Sequence, residues 1–243
     1  MIATLGMYDM PALRPANDRF WASIRDYLGY GPANLNRDRD VWDVWLDPDL
    51  VFAQTCGMPY RTRLHGKVQL VGTPDYALPG CPPGHYRSVF VARRHDPRDL
   101  DELADGVFAY NEPLSQSGWA APMVHLERYH RTPSSVLQSG GHALSAQAIS
   151  EGRADYAALD ALTWEMLKVH SDLPEALREV AETTPTPALP YITAKDQDAA
   201  QIARAVRNAI QTMSPQDRNL LHLHDLISIP AKDYLRVPNP SKL

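Results

Sequence analysis

Apolar positions fall into short runs whose period switches between two and about 3.6, which predicts alternating strands and helices rather than a long series of either. Ile2–Met7 reads as a strand. Asn17–Leu28 reads as a helix opened by Asn17 or Asp18, with Phe20, Trp21, Ile24, Tyr27 and Leu28 on one face. Asp40–Leu46 predicts a short helix carrying Trp42 and Trp45, and Leu50–Gln54 a buried strand. Gly57 opens another short helix, and Val68–Val71 is a strand entering the Pro/Gly-rich stretch Thr73–Gly84. The run Tyr86–Ala92 is too apolar and β-branched for a surface loop. A second series follows: a helix around Arg98–Leu103, a strand Val107–Tyr110, and a helix from Ser117 to near Tyr129. It continues with a strand Val136–Gln138, a helix His142–Ser150, a strand Tyr156–Leu159 and a helix Leu162–His170. Beyond the Thr/Pro-rich stretch Thr183–Pro187 come Leu189–Thr193 and the amphipathic helix Asp196–Met213.

Two such series predict two α/β lobes, residues 1–86 with 187–243 and residues 87–186, with crossovers near Tyr86 and at the Thr/Pro stretch. Alternating strands and helices favour mostly parallel sheets flanked by helices, and ligands then bind beyond the carboxyl ends of the strands. Composition narrows the partners. The 243 residues carry 24 Lys and Arg against 29 Asp and Glu, a net charge of -5. No basic run exceeds two residues, so neither nucleic acid nor an anionic membrane surface is an expected partner. Charges or prolines interrupt every hydrophobic run short of the ~18 residues of a membrane span. The start of the chain has no basic, apolar and small-residue series of an export signal, so the sequence as written predicts a cytoplasmic protein, or a periplasmic one if a signal has been removed. Cys56 and Cys81 each lie beside a turn-forming Gly or Pro and are readable either as a bridged pair or as two buried thiols.

The loops after the strands hold the candidate chemistry. After Val107–Tyr110, the segment Asn111-Glu112-Pro113-Leu114-Ser115-Gln116-Ser117-Gly118-Trp119 turns directly into a helix. Hydroxyls and backbone amides at the positive end of a helix stabilise an oxyanion without a formal positive charge. An ordinary serine cap explains one serine but not Ser115, Ser117 and Gly118 together. Ser139-Gly140-Gly141-His142 is a second polar helix start, where His142 is either an anion donor or a surface or capping histidine. Asp160 ends a strand and is either a ligand-amine partner or a helix cap. In the first series, Tyr8 and Tyr60 follow strands and combine an apolar face with a hydroxyl, which suits closure over a small polar ligand and equally suits packing. Trp21, Trp42, Trp45 and Trp164 lie at helical spacing and predict core positions.

Phosphate-loop, dinucleotide, nucleophile-elbow and zinc signatures are missing, so no catalytic, cofactor or metal residue is assigned. His222-Leu223-His224-Asp225 superficially offers metal ligands but is expected in a helical segment without a further ligand group. A Ser117/His142/Asp160 triad can be drawn, yet the local sequence offers no strained nucleophile turn for it.

The segments Asn111–Trp119, Ser139–Ile149 and Glu151–Asp160, in the order of elements above, resemble the phosphate/phosphonate-binding proteins of ABC importers, which have the type 2 periplasmic binding protein fold. The resemblance runs over nearly the whole chain, most clearly Leu50 to Asp160. It implies two α/β lobes joined by two crossover segments that close on a small anionic ligand, phosphate or phosphonate, and an ABC permease or a sensor as partner. It further implies that Ser115, Gln116, Ser117 and His142, with Gly118 in the same helix start, hold the oxyanion. Tyr60 would match a first-lobe tyrosine of the family, and Asp160 would take the organic end of an aminophosphonate. A protein of this kind captures and releases without chemistry; the alternative is an enzyme or biosynthetic protein on the same fold.

Overall fold

The structure, a computed structural model, describes residues 1–241. The chain forms two compact units, Met1–His85 with Pro187–Arg236, and Tyr86–Thr186 with the C-terminal segment from Val237. It therefore passes between units three times, and the segment after Arg236, expected with the first lobe, falls with the second. At the first two passages the short strands β4 (His85–Tyr86) and β10 (Thr186–Pro187) pair with each other.

In the first unit β1 (Ile2–Thr4), β2 (Leu50–Gln54) and β3 (Val68–Asp75) run one way, while β11 (Tyr191–Ala194) and β12 (Asp225–Ile227) run the other. Their order is β1-β2-β11-β3-β12. Every residue of β2 is buried, as a continuous apolar run in a central strand requires. Helix α1 (Arg14–Leu28) buries Phe20, Trp21, Ile24 and Leu28, one helical stripe. It ends at Gly29, whose φ of 81° lets its amide reach back to the Arg25 carbonyl. It begins three residues before the expected start because Pro15 suits a first turn. Asn17, read as a cap, is instead a buried helix residue whose amide donates to the Tyr8 carbonyl and to Asp9. Tyr27, placed on the packed face, is 48 % exposed. The short helices α2 (Val41–Trp45) and α3 (Gly57–Pro59) flank β2, and Asp40 caps α2 through the Trp42 amide. Trp21 stacks on Phe52 at 5.9 Å, and Trp45 donates its indole N–H to the Gln54 carbonyl.

In the second unit the order is β7-β6-β8-β5-β9. Strands β6 (Val107–Tyr110), β7 (Ser135–Gln138), β8 (Tyr156–Asp160) and β9 (Leu177–Glu182) share a direction, and β5 (Ser88–Arg93) opposes them. Both sheets are thus mixed. In each, the opposing strand in the interior, β11 or β5, is the one the chain enters just after a passage from the other unit. Helices α4 (Leu100–Leu103), α5 (Ala121–Arg128), α6 (His142–Ser150) and α7 (Ala161–His170) belong to this unit. The core holds Phe90, Phe108, Leu126 and Tyr156, and the Tyr156 hydroxyl donates to the Ala104 carbonyl. Outside the core Asp96 accepts from Arg98, which also reaches Asp155. The C-terminal segment is tied to α5 where the amide and hydroxyl of Ser241 both donate to Glu127.

The first unit closes with α8 (Ala199–Thr212), α9 (Pro215–Leu221) and α10 (Ala231–Leu235). Helix α8 buries Ile202, Val206, Ala209 and Ile210 and is capped by Asp198. The segment His222–Asp225 is not helical: His222 ends α9 in a left-handed conformation and Asp225 opens β12. Among the described residues no group of His, Cys, Asp or Glu is arranged to hold a metal ion.

Candidate functional site

Because β7, β6 and β8 are adjacent and parallel, their carboxyl ends meet at one edge of the second unit's sheet. The loops that leave them are stitched together by backbone: the Ser139 amide donates to the Tyr110 carbonyl at 2.8 Å, and the Gly140 amide to the Asn111 carbonyl at 2.9 Å. The Ser139 hydroxyl lies between the Tyr110 carbonyl, the Gly141 carbonyl and the Ser145 hydroxyl, so the second helix start is fixed against the first strand. Ser139 and Ser145 were not assigned from the sequence; their role follows only from the adjacency of β6 and β7.

The segment after β6 enters its helix through a π-helical turn, Gln116–Ala120, which continues as α5. Ser115 caps this turn, its hydroxyl accepting from the Gly118 amide at 3.0 Å, and so keeps its own proton for another acceptor. Ser115, Gln116 and Ser117 are 3 %, 2 % and 4 % exposed. The Ser117 hydroxyl lies 3.1 Å from Nε2 of His142, which brings the two predicted helix starts into direct contact. Burial pushes the His142 imidazole down to about 4, with the Ala158 carbonyl opposing the shift, so the ring is neutral near pH 7. A neutral imidazole beside serine hydroxyls, with no Lys or Arg in either loop, forms a site of dipoles. Such a site stabilises an anion through donors and the helix end rather than through a fixed positive charge.

Gly118 lets Asn111 approach its backbone closely. A Cβ placed there would lie 2.0 Å from Oδ1 of Asn111 and 3.2 Å from Cε1 of His142. The room left by the missing side chain is taken by the Asn111 carboxamide. That oxygen is buried and has no hydrogen-bond partner within the protein, and neither does the buried indole nitrogen of Trp119, whose ring packs on Tyr110 at 4.6 Å. Buried polar atoms are paired almost everywhere in native proteins, so these two beside one helix start are exceptions. Asn111 sits in the quoted segment, but nothing in a single sequence marks an unpaired acceptor.

Asp160, the last residue of β8, is 2 % exposed and caps α7 by accepting from the Thr163 amide at 3.0 Å. Tyr8 and Tyr60 belong to the first unit. Tyr8 lies in a short turn after β1, edge-on to Tyr76 at 5.5 Å. The turn is held by Asp9, which takes Arg37 at 2.7 Å and Asn17 at 3.0 Å. Burial opposes ionisation of Asp9, but these hydrogen bonds keep its carboxyl below the ordinary aspartate value. Tyr60 is built into the first unit's core, 2 % exposed and edge-on to Tyr234 at 5.3 Å. Burial raises its phenol above the ordinary value.

The family model described as "ABC transporter, phosphonate, periplasmic substrate-binding protein" matches residues 53–231, about three quarters of the chain. The chain belongs to that family. The matched span holds every predicted site residue except Tyr8. Solved structures carry the same two-lobed periplasmic binding protein fold. PhnD1 from Prochlorococcus marinus, in complex with methylphosphonate, aligns with a TM-score of 0.76 over 96% of this chain and 93% of its own at 14% identity. The phosphonate transporter binding component PA3383 from Pseudomonas aeruginosa gives 0.71 over 96% and 82% at 14% identity. XAC2383 from Xanthomonas citri, bound to ATP, gives 0.68 over 97% and 92% at 15% identity. No curated protein sequence matches the chain. Among the described residues no helix is long and apolar enough to cross a membrane.

Proposed function

We propose that the protein captures a phosphonate or phosphate as the solute-binding component of an ABC importer and releases it chemically unchanged. The observation that carries this reading is the buried contact between Ser117 and His142, which joins two helix starts at one sheet edge and supplies donors but no fixed cation. The family brings with it a periplasmic class of transport protein, for which a small ligand and a membrane permease are the expected partners. In this proposal Ser115, Gln116, Ser117, Gly118 and His142 hold the oxyanion, and Asp160 faces an organic substituent such as an amine. Tyr8 is proposed from its place after a strand and Tyr60 also from the resemblance, and Y8F and Y60F test them through affinity. Phosphonate fits the helix-end chemistry because its three oxygens accept from several converging donors at once.

The experiment is calorimetry with methylphosphonate, 2-aminoethylphosphonate and phosphate, on the intact protein and on a variant carrying S117A and H142A. Ligand at ~100 times its Kd stabilises the protein by about 2.7 kcal/mol, which a thermal melt also reads. Binding lost in the double variant supports the site. Absence of binding by all three ligands refutes the reading. Phosphorus NMR of recovered ligand separates capture from turnover: an altered ligand would favour the enzyme alternative.

A further inference from the structure

We infer that Asn111 is a specificity residue and that its side-chain oxygen selects a ligand carrying a proton on its oxyanion, a hydrogen-phosphonate or hydrogen-phosphate, over a fully ionised anion such as sulfate. This rests on the proposed function and names the form of ligand the site takes.

The argument starts from Gly118. The point where a side chain would stand is bounded on one side by the Asn111 oxygen and on the other by the His142 ring, whose Nε2 meets Ser117. The Asn111 side chain therefore packs against Gly118, at the helix start that the proposal gives to the oxyanion. Its Oδ1 is buried and unpaired, and the Gly140 amide, a donor of the neighbouring loop, is spent on the backbone carbonyl of the same residue. An amide oxygen accepts and cannot donate. Sulfate near neutral pH presents only acceptors, and one of its oxygens placed here would leave two acceptors facing each other. A phosphonate or phosphate near its second ionisation presents a P–OH, and that hydroxyl satisfies the orphan oxygen. The donors in these loops include the Ser115 and Ser117 hydroxyls and the neutral His142 ring. The titratable side chains on the three loops are Glu112, His142 and Asp160, and the loops bring no Lys or Arg that would hold a dianion by charge.

The test is competition between methylphosphonate and sulfate on the intact protein, run with N111L and N111D beside the native residue. Leucine keeps the shape and removes the acceptor, whereas aspartate keeps an obligatory acceptor whichever way the amide is turned. The native protein is expected to prefer methylphosphonate by at least about tenfold, the discrimination of one hydrogen bond against an unpaired buried acceptor. The preference collapses in N111L and persists in N111D. Affinity of the native protein for methylphosphonate also falls as pH rises through the ligand's second ionisation, and this needs no variant. Sulfate bound by the native protein as tightly as methylphosphonate overturns the inference while leaving anion capture standing, as does a preference undiminished in N111L. No binding of methylphosphonate, 2-aminoethylphosphonate or phosphate overturns both readings.

Discussion

Replacing Gly118 by alanine separates the integrity of the fold from that of the site. The added methyl would lie 2.0 Å from Oδ1 and 2.8 Å from Cγ of Asn111, both inside any tolerable contact, and 3.2 Å from Cε1 of His142. Overpacking of a fixed neighbour costs about 1–3 kcal/mol. Here the neighbour is the end of a short side chain whose oxygen has no hydrogen bond to lose, so it can turn away, and alanine gains about 1 kcal/mol of helix propensity over glycine. The two contributions nearly cancel, and for a chain of this size a residual 1 kcal/mol moves the melting temperature by about 2–4 °C. Binding has no such compensation. The methyl expels Asn111 from its place and crowds the ring that meets Ser117, so at least one charge-assisted hydrogen bond to the anion is lost. That loss is about 1.5–3 kcal/mol, about tenfold to a hundredfold in Kd. Calorimetry with methylphosphonate beside a thermal melt reads both quantities. A G118A protein that melts normally and binds with native affinity would refute the placement of the ligand at this helix start.

Other consequences are directly measurable. S117A removes a hydroxyl held against His142 and is expected to weaken methylphosphonate binding by about tenfold to a hundredfold with little change in melting temperature; calorimetry reads it. Y156F leaves the Ala104 carbonyl without its buried donor and should cost about 1–3 kcal/mol in a denaturant melt, with ligand affinity unchanged. Hydrogen bonds from Arg98 hold the Asp96 carboxyl at about 2 against an ordinary 3.8, although burial opposes ionisation. A carboxylate depressed in the folded state contributes its full stabilisation above the unfolded value and loses it as pH falls from there through the folded one. Stability measured between pH 4 and about 2 should therefore fall less steeply in D96N than in the native protein.

How much of this was legible beforehand varies with the kind of interaction. Strands buried on both sides, such as β2 and β8, announce themselves as unbroken apolar runs, and the loops that follow β6 and β7 stand out by their serines and glycines. Strand β9 did not, because Leu-Arg-Glu-Val-Ala-Glu carries charge on an edge strand that pairs only with β5. The part of β3 from Gly72 to Asp75 was hidden by Pro74 in a stretch that reads as loop. Asn17 looked like a helix cap because its type suits one, and only the tertiary position of Tyr8 and Asp9 gives its amide other work. Within the candidate site, residue type at strand ends singles out Ser115, Ser117 and His142. The meeting of Ser117 with His142 and the orphaned oxygen of Asn111 depend on which strands are neighbours, which a single sequence does not encode locally. Tyr60 shows the converse: the same apolar ring that suits a ligand also suits the core, where it is found.

The placement of β11 has a consequence for biosynthesis. It fills the slot between β2 and β3, and it is synthesised only after Tyr86–Thr186, the stretch that carries the second unit's sheet. Until then the first 85 residues hold β2 and β3 with facing open edges, a state that invites pairing with other chains and favours capture by a chaperone. The second unit meets no such delay, since Tyr86–Thr186 supplies its entire five-stranded sheet from one continuous stretch. The nascent chain should thus carry a finished middle between unfinished ends, and the slot between β2 and β3 stays open until β11 is made.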